Sequence, residues 1–381
     1  MKMQSHASRR VCSEFLKDLH PDLSPPFPKG VIKDEIAVAY GRRGIIKLIE
    51  VLALEDMDLR DEDRAHALRV LIGLLTTQEM KNDAVAQGAC VPLTALIRRT
   101  RDPEVLKLSC DALGSLSQVQ LGREAIIASD GVPALTEALQ TSPEAAAGAF
   151  RLFTMSTQGV SLLGPSLDPV VQALVILMDR PKDDGVSLTA CENAVTALAS
   201  LSTADLGIIA CLTYGVPKCV VRLIDRGLTG DHRSEKDLML CMEQCALCLE
   251  QVSHHPYGKT AVREADGVRA LGSLLGLARF NLAVQKKTTA ALMAVSVEKE
   301  AKQQVVLFAG QHLVRLLKSD NAVLVANARA ALISASESLE ARKLLSHSLD
   351  ETQQVQMLYK GPVPPTPPDF RYLVSLPVLK Q

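Results

Sequence analysis

Residues 130 to 139 read Asp-Gly-Val-Pro-Ala-Leu-Thr-Glu-Ala-Leu, a glycine turn followed by proline and then leucines at helical spacing. A glycine releases one helix and a proline two residues on suits the first turn of the next. The same arrangement recurs along the chain, as GIIKLIEVL from Gly44, GACVPLTALI from Gly88, YGVPKCVVRLI around Gly215, DGVRALGSLL around Gly267 and AGQHLVRLL around Gly310. Successive glycines are 44, 43, 84, 52 and 43 residues apart, and 84 is two periods. The degenerate stretch LDPVVQALVILM, from Leu167, fills the missing place.

A second signal keeps the same period. Ala-Leu followed three residues later by an aliphatic occurs at Ala67-Leu68 with Leu71, Ala112-Leu113 with Leu116, Ala197-Leu198 with Leu201, Ala291-Leu292 with Val295 and Ala331-Leu332 with Ala335. Ala149-Phe150 with Phe153 takes the third place. This spacing predicts an apolar helical stripe. Asp102-Pro103-Glu104 and Ser142-Pro143-Glu144 each read as a cap, a first-turn proline and an acid at the positive helix end. No comparable stretch alternates with the period of a strand.

Two motifs with one period near 43 resemble the armadillo repeat, with the HEAT repeat as its close alternative. The resemblance implies an all-α, right-handed superhelical solenoid of about six or seven repeats over residues 35–347. Residues 1–34 then form an N-terminal arm and 348–381 a helix end and a proline-rich arm. Each repeat leaves an apolar face that only its neighbours can bury.

Composition agrees. Hydrophobic residues make up 47% of the 381 residues, aromatics 3%, and tryptophan is absent, which suits thin layers packed with small aliphatics. Forty-two Lys and Arg against 43 Asp and Glu leave a net charge of −1, giving no long-range pull toward nucleic acid or an anionic membrane. No leader-like apolar run follows the basic residues of the N-terminus, and no stretch has about 18 uninterrupted apolar residues, so a soluble intracellular protein is expected. Of nine cysteines, Cys90, Cys110, Cys191, Cys211, Cys219, Cys241, Cys245 and Cys248 fall in apolar helical segments and read as reduced core thiols. The polar insertion 226–237 accounts for the 52-residue interval and reads as a surface loop.

Chemistry is sparse in the sequence. It has no phosphate-binding glycine loop, dinucleotide fingerprint, His-Glu-x-x-His helix or nucleophile elbow. Cys241, Cys245 and Cys248 with His254 and His255 have ligand-bearing side chains, but their i, i+4, i+7 spacing is that of a buried helix stripe, so no metal is expected. His66 and His312 lack catalytic companions. Arg98, Arg99 and Arg101 complement the C-terminal dipole of their own helix. No cofactor, small-molecule substrate or enzymatic activity is expected. Armadillo proteins that carry nuclear import cargo have a Trp-x-x-x-Asn pattern on their groove helices, and ALRVLIGL, ALGSLSQV and ALASLSTA lack it.

The lead-in to the array, Ala37-Val38-Ala39-Tyr40-Gly41-Arg42-Arg43-Gly44-Ile45-Ile46-Lys47-Leu48, resembles that of the armadillo-repeat radial spoke proteins of motile cilia, the radial spoke head 14 group. VQKKTTAALMAVSVEKEAKQQVV from Val284 and LVRLLKSDNAVLVANARAALISA from Leu313 are similar to that group's late repeats. The resemblance implies a structural spoke subunit in the axoneme, within the cytoplasmic cytoskeleton. It would hold other spoke proteins through a concave groove and terminal arms, without nucleic acid or membrane as partner. A general cytosolic armadillo adaptor in signalling or trafficking is the alternative, and a Cys/His metal-binding protein a further one. Tyr and Arg anchor interfaces well, so Tyr40, Arg42 and Arg43, with Phe370, Tyr372, Leu373 and Leu376 of the C-terminal arm, are the expected partner contacts. Tyr40 reads equally as a cap on the first repeat, and the C-terminal arm either folds back on the solenoid or docks on a partner.

Overall fold

The computed structural model describes residues 42–54, 60–180, 186–229, 235–278 and 281–346. These residues form α-helices, one short 3-10 turn and no strands. The chain packs as two compact units, one ending at Val252 and the other beginning at Ser253.

In the first unit the helices are α1 (Arg42–Leu52), α2 (Asp61–Leu74), α3 (Gln78–Ala86), α4 (Cys90–Arg99), α5 (Pro103–Leu116), α6 (Gln120–Ala128) and α7 (Gly131–Ala138). They continue as α8 (Pro143–Thr154), α9 (Thr157–Leu163), α10 (Leu167–Asp179), α11 (Leu188–Leu201), α12 (Asp205–Thr213), α13 (Val216–Thr229) and α14 (Glu235–Val252). Contacts sort them into rows. The long helices α2, α5, α8 and α11, which carry the Ala-Leu copies and Ala149-Phe150, stack each on the next, and α14, which carries no copy read from the sequence, continues the row. The glycine-proline helices α1, α4, α7, α10 and α13 do the same, and the short helices α3, α6 and α9 form a third row. Both sequence motifs therefore mark real rows, and the degenerate copy from Leu167 is α10, in its expected place.

The second unit repeats the plan with α15 (Pro256–Glu264), α16 (Gly267–Leu277) and α17 (Leu282–Val295), then α18 (Ala301–Leu316), α19 (Ala322–Ser336) and α20 (Leu339–Ser346). Here α17 packs on α19, and α16 on α18.

The turn into α4, α7, α13 and α16 is made in two ways. Gly88 and Gly215 are themselves left-handed, at φ 80° and 68°. At the other two sites Asp130 and Asp266 take the left-handed conformation, at φ 55° and 64°. Gly131 and Gly267 are then needed for closeness. A Cβ at Gly131 would lie 2.8 Å from Ile126 Cγ2, and one at Gly267 2.6 Å from Val262 Cγ1. At Gly310 there is no turn at all. Ala309 occupies the place of those aspartates, a left-handed alanine is costly, and α18 runs straight through.

Other expectations shift at the level of single side chains. Asp102 caps α5, accepting from the Val105 amide at 2.8 Å, whereas Ser142 makes no side-chain cap to α8. The expected loop from Arg226 is helical up to Thr229 and again from Glu235, so the extra residues lengthen α13 and α14. Arg99 reaches past its own helix end to the Leu54 carbonyl, 2.8 Å away and one repeat earlier. Arg180 does likewise to Gln140 at 3.3 Å, and Arg226 to Arg180 at 3.0 Å. These arginines tie α4, α10 and α13 each to the carbonyl end of the glycine-proline helix before it, where orphan acceptors need donors.

Buried cations stitch the short row as well. Lys81 donates to Gln118 at 2.5 Å, and Arg123 to the Ser117 carbonyl at 2.8 Å and to Gln158 at 3.1 Å. By length and composition, Thr157–Asp179 would suffice to cross a membrane. Its Val160, Leu163, Val170, Val171, Leu174, Leu177 and Met178 are buried against neighbouring helices, so its apolarity serves the stack.

One buried polar group stands out in the second unit. Thr288 on α17 is fully buried and its hydroxyl has no hydrogen-bond partner, while Thr289 beside it bonds the Gln285 carbonyl at 2.8 Å. An unmet buried hydroxyl is costly, and valine has nearly the same shape without it. Thr288→Val should therefore raise the urea midpoint by the equivalent of about 1 kcal/mol. A lowered midpoint would show that the hydroxyl is satisfied by water.

Candidate functional site: the long-helix face of the first unit

The residues that line the open side of the long row follow from helix geometry. The Ala-Leu pairs of α2, α5 and α11 are buried, as are Ala149-Phe150 of α8 and Cys248-Leu249 of α14, so the residue before each pair and the one four later turn outward together. They are His66 and Val70 on α2, Asp111 and Ser115 on α5, Gly148 and Leu152 on α8, Thr196 and Ser200 on α11, and Leu247 and Gln251 on α14, all half-buried. No large ring stands at any of these places. The face is smooth, and polar over much of its length.

One turn earlier, the equivalent positions are Glu62, Lys107, Glu144, Glu192 and Glu243. Four of the five are acids at the same repeat slot. Glu144 also accepts from the Ser187 hydroxyl at 2.8 Å. Burial pushes the Glu192 carboxyl above the usual range; Arg151 opposes this, and Asp237 and Glu243 add to it. Burial raises Asp111 in the same way, with Lys107 opposing and Glu144 adding. Carboxylates of successive helices thus feel one another across this face.

Between them lies a notch. Gly148 has no side chain, and a Cβ there would sit 3.3 Å from the Asn193 amide nitrogen. Asn193 is 9% exposed and donates to the Glu144 carbonyl at 3.3 Å. Its amide oxygen accepts no hydrogen bond among the described residues.

The cysteines hold no site of this kind. Cys90, Cys110, Cys191, Cys211, Cys219, Cys241, Cys245 and Cys248 are all buried free thiols. Among the described residues, no three His, Cys, Asp or Glu side chains are placed to hold a metal ion. Of the expected partner contacts, Tyr40, Phe370, Tyr372, Leu373 and Leu376 lie outside the described residues. Arg42 and Arg43 open α1, and their side chains likewise fall outside what is described. The acid row went unread in the sequence because it becomes visible only when the long helices are put in register. The Ala-Leu pairs supply that register.

No protein-family model and no curated protein matches the chain. Solved structures do match. An engineered protein from the Northeast Structural Genomics Consortium superimposes with a TM-score of 0.66 and 23% identity, over 83% of this chain and 73% of that one. A computationally designed armadillo repeat protein for modular peptide recognition matches with a TM-score of 0.54 and 20% identity, over 66% of this chain and 99% of that one. With the three-helix repeat and the stacked rows, these define the fold class: the chain is an all-α solenoid of armadillo type.

Proposed function

We propose that the chain is a non-enzymatic protein-binding scaffold, and that it serves as a structural subunit of the axonemal radial spoke. The observation that carries the scaffold reading is the continuous face of five stacked long helices, whose outward residues are mostly small or polar, broken by Val70, Leu152 and Leu247, and surround no catalytic grouping among the described residues. Such a face offers many weak contacts spread over a long path, which suits assembly better than turnover. The designed armadillo protein it is similar to was made for peptide recognition, which supports the same use of this surface. The spoke assignment rests on the lead-in segment Ala37 to Leu48 and on the two late repeats from Val284 and Leu313.

Fractionation of motile cilia tests the assignment. The chain is expected in the detergent-insoluble axoneme and, after salt extraction, in the fast-sedimenting spoke complex. Release with the soluble matrix would remove the spoke reading and leave a cytosolic armadillo adaptor.

A further inference from the structure

We propose that the C-terminal arm, through Phe370, Tyr372, Leu373, Val374 and Leu376, closes the open end of the second unit by lying across the uncovered side of α19. This goes beyond the scaffold reading and stands whether or not the chain belongs to a spoke.

The uncovered side follows from repeat position. On α5 the stripe Leu106, Cys110 and Gly114 is buried, and a Cβ at Gly114 would lie 3.0 Å from the Ala149 Cα of α8, the next long helix. On α11 the equivalent stripe is Cys191, Val195 and Ala199, again buried, with Cys191 near enough to Cys241 and Cys245 of α14 for their charges to interact. This is the side that each following long helix covers. With Ala331-Leu332 setting the register, the same stripe on α19 is Val325, Arg329 and Ile333.

Nothing among the described residues takes the place of that following helix. Behind, α19 packs on α17; ahead of it comes only the short α20, which packs on α18 and α19. The stripe is accordingly open: Val325 and Arg329 are half-buried and Ile333 is 44% exposed, where Val195 and Ala199 are buried. Ala322, Ala326 and Ala330 widen it, so that of these six outward residues only Arg329 is polar. The end of a solenoid needs a polar outer surface to stay in water, and this one is aliphatic.

Place, length and chemistry all point to the arm as its cover. The residues after Ser346 continue from α20, beside the open stripe. Twenty-four positions separate Ser346 from Phe370. An unstructured chain of that length has ends roughly 25–30 Å apart on average, and the fifteen residues of α19 span about 22 Å. Phe370 to Leu376 reads Phe-Arg-Tyr-Leu-Val-Ser-Leu, an apolar run for an apolar stripe, and Asp369 before it supplies a carboxylate for Arg329. The prolines between 362 and 368 leave less freedom to lose on docking. A tethered segment acts at an effective concentration that a second copy of the chain must exceed to displace it.

The test sets the photo-cross-linking residue p-benzoylphenylalanine in place of Ile333 in the full chain, irradiates it at low micromolar concentration, and reads the products by gel and by peptide mass mapping. Peptides from 347–381 should attach to position 333 in a product of monomer size. In the double variant Leu373→Asp with Leu376→Asp that yield should fall about tenfold, because charged groups do not stay on an apolar stripe. Circular dichroism checks that the variant keeps its helices. The same probe in place of Tyr257, which is 76% exposed on α15 of the same unit, should attach no arm peptide. A product of dimer size at position 333 would give the stripe to a second copy. The absence of any product, a yield that the aspartates leave unchanged, or equal labelling from position 257 would leave the stripe uncovered. Each of these results overturns the proposal.

Discussion

Gly207→Ala is expected to lower the urea midpoint by the equivalent of about 3 kcal/mol, despite placing the best helix former inside a helix. Gly207 opens the short helix α12, and a Cβ there would land on the Leu201 carbonyl oxygen at the end of α11. Gly122 stands in the same relation to Leu116, and Gly159 to Phe153. The obstacle is backbone in every case, so no rotamer change relieves it, and the junction between the long helix and the next repeat must open. Gly73 provides the comparison. It sits on α2, is exposed, and a methyl group added to it would meet nothing within 4 Å. Gly73→Ala should stabilise the chain by about 0.5–1 kcal/mol, since only helix propensity changes. If both variants shift the midpoint in the same direction, the close approach at Leu201 is not what Gly207 is for.

These glycines show where the sequence was legible and where it was not. The long and middle rows could be read because each is a run of residues with a repeating apolar face, and burial writes that face into composition. Gly122, Gly159 and Gly207 are single residues whose reason lies in a carbonyl six residues earlier, brought near only by the turn between helices. Arg99, Arg180 and Arg226 bind backbone about one repeat away, and any carbonyl looks like any other in a sequence. Tyr40, Phe370 and Tyr372 stand out in the sequence by residue type alone. The acid row depends instead on position, which the Ala-Leu register alone supplies.

The second large effect is an alkaline limit to stability. Burial pushes the Cys90 and Cys110 thiols up from about 9 to about 12, and Cys191 and Cys211 to about 11; Cys245 and Cys248 are raised as well. Unfolded, each releases its proton near 9, while the folded chain holds it. The stabilisation is therefore fully present below about pH 9 and is lost as pH rises toward 11 to 12. The urea midpoint should be flat from pH 7 to about 8.5 and then fall steeply. The paired variant Cys191→Ala with Cys211→Ala should lessen that slope, and an unchanged slope would assign it to other groups. In a Cys12→Ser background, the eight buried thiols should react with a disulfide reagent at pH 8 about a hundredfold or more slowly than unfolded chain, because burial keeps the reagent from them.

The unbroken passage of α18 has a mechanical consequence. Elsewhere the chain bends at left-handed joints, Gly88, Asp130, Gly215 and Asp266, where a change in two dihedral angles lets one short helix swing against the next. The sixteen residues of α18 have no such joint. At 1.5 Å per residue they make a strut of about 24 Å that yields to load only by breaking its own ladder of hydrogen bonds. Within its own unit, the layer built on α18 therefore lacks the joint that Asp266 gives the one before it.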